Sequence, residues 1–101
     1  MESIVFNDSI TPIYGVLFQP NPNEAFGCSY STFSWVHLEQ SGELKVAFTH
    51  RTVTIKGKHL EGLPNEFLEH RVREVRVLPR AAILAQAQSN APMVEEIVLG
   101  K

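Results

Sequence analysis

The sequence predicts a small α+β domain. It is expected to be an antiparallel sheet of four to five strands with a β-β-β-α-β core and one amphipathic helix packed on one face. Three observations carry this expectation. Leu44, Val46 and Phe48, and then Val53 and Ile55, recur at every second position, the period of a half-buried strand. From Leu60 the spacing changes to three and four, which lines up one face of a helix. Val75-Arg76-Val77-Leu78 then returns to β-branched residues and is stopped by Pro79.

The elements follow in order. Residues 1–31 carry Pro12, Pro20, Pro22, Gly15 and Gly27 among short apolar runs at Ile4–Phe6 and Ile13–Phe18. They read as an irregular segment with one or two short strands, one of them at Tyr14–Phe18. Residues 32–79 are the core. Phe33–Leu38 is rich in aromatic and β-branched residues, with Phe33, Trp35 and His37 expected on one side and Ser34, Val36 and Leu38 on the other. Gly42 allows the reversal into Leu44, Val46 and Phe48. After the polar break at His50-Arg51, Val53 and Ile55 form a third strand that Gly57 ends. Leu63, Phe67, Leu68, Val72 and Val75 share a helical face, with Pro64 in the first turn and Glu69–Arg73 as an i,i+4 pair. Residues 80–101 add a helix over 80–88, a break at 89–92 and the apolar tail Met93–Leu99.

Length and composition bound the function. The 101 residues suffice for a single domain, 1–101, with an ordinary core. With 44% hydrophobic and 20% charged residues and a net charge of −2, the chain is not of the disordered class. It holds no apolar run of the roughly 20 residues a spanning helix needs, so no membrane partner is expected. Its start carries acids where a secretory leader needs bases, which predicts a cytoplasmic protein. Cys28 stands alone, so no internal disulfide and no cysteine-built zinc site can form. Charge is uneven: residues 1–50 balance at −4, 51–80 at +3 and 81–101 at −1.

Reactive constellations are scarce. His37, His50, His59 and His70 lie 13, 9 and 11 residues apart, spacing that offers no local ligand set. Cys28 follows Gly27 as a nucleophile on a tight turn would, with His37 or His50 as the conceivable base, yet free cysteine is more commonly a small buried apolar residue. The glycines give neither a phosphate loop nor a dinucleotide fingerprint, so no cofactor is expected. A basic segment supplies Lys56, Lys58, Arg71, Arg73 and Arg76 as nucleic-acid contacts, although on one helix Arg71 and Arg73 point about 200° apart. Spare apolar surface is the stronger signal. Phe33 and Trp35 on an open sheet face, with Val94, Ile97 and Leu99 of the tail, are candidates for self-association. The sequence thus predicts a non-catalytic interaction or assembly module forming a dimer or larger homo-oligomer. Nucleic-acid binding through residues 51–80 is the alternative.

Overall fold

The strand-forming segments from Phe33 to Lys58 produce the expected meander. The computed structural model describes residues 3–7, 13–85 and 90–100. In chain order the elements are β1 (Ile4–Phe6), β2 (Gly15–Asn21), β3 (Glu24–Ser29), a 3-10 turn (Tyr30–Thr32), β4 (Phe33–Leu38), β5 (Leu44–Phe48), β6 (Arg51–Lys58), α1 (Leu63–Leu68), β7 (Val72–Arg76), α2 (Arg80–Ala85) and β8 (Met93–Leu99). They form two four-stranded sheets, ordered β1-β7-β2-β3 and β4-β5-β6-β8. The expected single sheet with one helix across its face is therefore corrected: a second sheet takes the place assigned to the helix.

The reason is length. α1 has six residues, about 9 Å of helix, too little to cover strands about 20 Å long. Its end is set at His70, which adopts φ 56. The N–H of His70 donates to the Phe67 carbonyl at 3.0 Å and that of Arg71 to the Glu66 carbonyl at 2.9 Å. This is the double closure of a left-handed helix stop, made here by a histidine where glycine is usual. The helix consequently does not reach Glu74, and Val72–Arg76 is a strand.

That strand does not join the meander. β7 runs antiparallel to β1 and parallel to β2, while β8 takes the free edge of β6. The N-terminal segment supplies the three partners, β1–β3, that make a second sheet possible. An extra residue in β7, between the pairs Val5–Glu74 and Phe6–Val72, turns both Val72 and Val75 into the core at 0% exposure.

Two further expectations change. Gly57 does not end β6, which continues to Lys58 and admits β8 closely at that glycine. Phe33 and Trp35 do not share a face. Phe33 pairs with Phe48 and Trp35 with Ala47, so β4 carries one residue more than β5 between them. The bulge turns Phe33 onto the core, leaving Trp35 and His37 outside.

The sheets face one another across a single core. Ile4, Val16, Phe18, Val72 and Val75 come from one side and Leu44, Val46, Phe48, Val53, Ile55, Val94 and Ile97 from the other. Leu63 and Phe67 of α1 close it at 1% and 0% exposure. Ser3 stitches one seam: its hydroxyl oxygen accepts the Val94 N–H at 2.9 Å, and its carbonyl accepts the Arg76 N–H at 2.8 Å. Tyr30 ties the turn before β4 to the other sheet by donating its hydroxyl to the Val72 carbonyl at 2.6 Å. Burial pushes that phenol well above its ordinary range. α2 is shorter than the helix expected over 80–88; positions 86–88 lie outside the described residues.

Candidate functional site

The register of the second sheet sorts its side chains. On the inner face Val36, Val46, Val53 and Leu99 lie in one cross-strand row, and Leu38, Leu44, Ile55 and Ile97 in the next. Eight aliphatic side chains in two rows make one wall of the core. The outer face carries Trp35, Ala47 and Thr52 in one row, then His37, Lys45, Thr54 and Val98, then Lys56 beside Glu96.

Of the five self-association candidates, four are thus drawn into the chain's own packing. Val94 is 0% and Ile97 7% exposed, and Leu99 and Phe33 pack against the buried cluster. The tail docks on β6 as an added strand of the same chain. Trp35 alone projects outward, at 49% exposure. Val98, in the opposite edge strand, joins it on that face at 41%. Between them the charged groups are paired: Lys45 with Glu39 at 3.4 Å and Lys56 with Glu96 at 3.8 Å. Ala47 is 4% exposed although it points outward, because it sits between the larger Trp35 and Thr52. Val98 could be foreseen from the alternation of Ile97, Val98 and Leu99, but which of them faced out required the register with β6.

The basic candidates do not converge. Lys56 lies on the outer face of the second sheet, whereas Arg73 and Arg76 are on β7 of the first. Three of the five already face carboxylates: Lys56 with Glu96, Arg71 with Glu66 at 3.3 Å, and Arg76 with Glu74 at 3.6 Å. Lys58 and Arg73 are exposed, on different sheets. Phosphates along a strand need several cations on one surface, and this arrangement does not present them.

The nucleophile candidate is likewise set by its surroundings. Cys28 on β3 lines a hollow of about 310 Å³ with Phe26, His50 and Arg51. The Arg51 guanidinium lies over the Phe26 ring, 4.2 Å from its centroid. Burial pushes the Cys28 thiol up by more than the positive charge of Arg51 draws it down. The group is therefore held as the thiol, the unreactive form. His70 stacks on Tyr30 with centroids 4.3 Å apart and the rings 11° from parallel. His59 occupies a second left-handed position, φ 60, just after β6, and His37 lies beside Lys45 on the outer face. Among the described residues no three His, Cys, Asp or Glu side chains group to hold a metal ion, and no helix is long and apolar enough to cross a membrane.

No protein-family model matches this chain, and neither a curated protein nor a solved structure matches it.

Proposed function

We propose that the protein is a non-catalytic interaction module that pairs with a second copy of itself through the outer face of the β4-β5-β6-β8 sheet. The observation that carries this reading is Trp35, 49% exposed on a face whose lysines are already neutralised by their own carboxylates. Desolvating such a face costs less than desolvating unpaired lysines would, and tryptophan brings a large apolar area to it. The placement also suits a two-fold contact. Rotation about an axis along the strands lays β4 over the partner's β8, so Trp35 of each copy approaches the side that carries the partner's Val98.

Size decides how strong the contact is. Four strands, each about 4.8 Å wide and 20 Å long, outline ~400 Å² per copy. The total of ~800 Å² falls below the ~1,200 Å² at which stable interfaces begin. The association is therefore transient, a reversible pairing of micromolar or weaker affinity.

Trp35 is also the sole tryptophan of the chain, so its fluorescence reports on this face alone. Emission should move to shorter wavelength as concentration rises from the micromolar to the millimolar range, in step with a dimer seen by sedimentation equilibrium. Trp35→Ala should remain monomeric across the range. Unchanged emission with a monomeric mass at millimolar concentration would overturn the reading.

A further inference from the structure

We infer that the hollow between α2 and the β6–β8 pair is a binding site for a small amphiphilic anion, with an acidic head and an apolar chain. This rests on a different face from the one proposed for self-association. The hollow encloses about 460 Å³, inside the roughly 300–1,000 Å³ range of small-molecule pockets. Its floor is Leu78 and Met93, 3% and 1% exposed, and so is fixed by the core. Its wall is Ile83, half-buried, and Leu84, a large apolar residue left 67% exposed.

The charges around it point to the head group. Among the described residues, Lys45, Lys56, Arg71 and Arg76 each face a carboxylate within 4 Å, and Arg51 lies over an aromatic ring. Lys58, Arg73 and Arg80 have no such partner, and two of these three, Lys58 and Arg80, line this one hollow. A single acid, Glu95, stands with them, leaving the rim with a net positive charge. Exposed leucine is an unfavourable surface for water to meet, and the two cations beside it attract an anion, so one ligand with an acidic head and an apolar chain meets both. The chain of the ligand lies on Leu78, Met93, Ile83 and Leu84; the head sits between Lys58 and Arg80.

The probe is octanoate, followed by the amide shifts of the full chain labelled with nitrogen-15. Octanoate should move the amides of Ile83, Leu84 and Met93 and bind about tenfold tighter than octanol, which has the chain without the charge. Acetate, which has the charge without the chain, should be weaker than octanoate by a similar factor. The double variant Lys58→Gln/Arg80→Gln should bring octanoate down to the level of octanol, and Leu84→Ser, at an exposed position, should weaken both. Trp35→Ala should change nothing. Equal binding of octanol and octanoate, an unaffected double variant, or shifts confined to the Trp35 face would each overturn the assignment, whatever the outcome for self-association.

Discussion

Replacing Gly57 with alanine tests the seam on which the two-sheet arrangement depends. A Cβ built there would lie 1.9 Å from the Met93 carbonyl oxygen and 3.0 Å from the Val94 Cα. Both contacts are backbone, so neither can rotate away. Relief requires the start of β8 to move off β6 by about 1 Å or more, where Met93 and Val94 are 1% and 0% exposed. The same shift strains the Leu78 N–H bond to the Val94 carbonyl, already 3.4 Å long, and the Val94 N–H bond to Ser3. Overpacking of this kind costs about 1–3 kcal/mol, and one lost buried hydrogen bond adds ~1 kcal/mol. A net loss of about 2–4 kcal/mol is a large part of the ~5–15 kcal/mol that holds a domain together. In a chain of this length the melting temperature should fall by roughly 10–20 °C. Gly62→Ala is the control, since nothing lies within 4 Å of that Cβ and the backbone φ is −83°. It should stay within about 0.5 kcal/mol of the parent. Urea unfolding of both variants measures the difference. Gly57→Ala as stable as Gly62→Ala would refute the close approach of β8 and with it the placement of the tail.

Three other outcomes are expected. Ser3→Ala leaves the Val94 N–H without a partner at a site 1% exposed and should cost about 1–3 kcal/mol in urea unfolding, whereas Ser41→Ala in the exposed turn should be silent. His70→Gly gains about 1 kcal/mol by relaxing the left-handed backbone and loses a similar amount with the stack on Tyr30, so stability should barely move; His70→Ala loses the stack without the relief and should be destabilised by about 1 kcal/mol. Stability should decline as pH rises through and beyond 9. The unfolded chain gives up the Cys28 and Tyr30 protons before the folded one does, so folding binds more protons and weakens as pH increases. Cys28→Ser should flatten the start of that decline, and iodoacetamide should modify the folded thiol more slowly than a small free thiol at the same pH.

Much of this protein was settled locally. The meander from Phe33 to Lys58 follows from aromatic and β-branched residues over Phe33–Leu38, apolar residues at every second position from Leu44, and a glycine at the turn, all of them signals local in sequence. The start of α1 at Leu63-Pro64 is also written locally, in a residue that restricts its own backbone and has no N–H to leave unpaired. Local signals misled where a single residue broke a rule. A histidine in the left-handed position ended α1 early, and one extra residue in β4 separated Phe33 from Trp35.

Tertiary structure decided what no local period encodes. Helix spacing through Leu68, Val72 and Val75 fits a bulged strand equally well once Val72 and Val75 both face the core, and only pairing with β1 and β2 chooses between them. The tail Met93–Leu99 is a plain alternating segment that suits any free edge; it became part of this core because β6 had one to offer. The candidate site has the same origin. Trp35 was evident as a large apolar side chain, but its exposure and its company with Val98 depend on strand register, which couples residues 63 positions apart. Outside residues 72–75, sequence thus determined which segments are extended or helical, because that choice rests mostly on each residue's own neighbours. The fold alone decided which apolar faces were used up inside and which remain exposed.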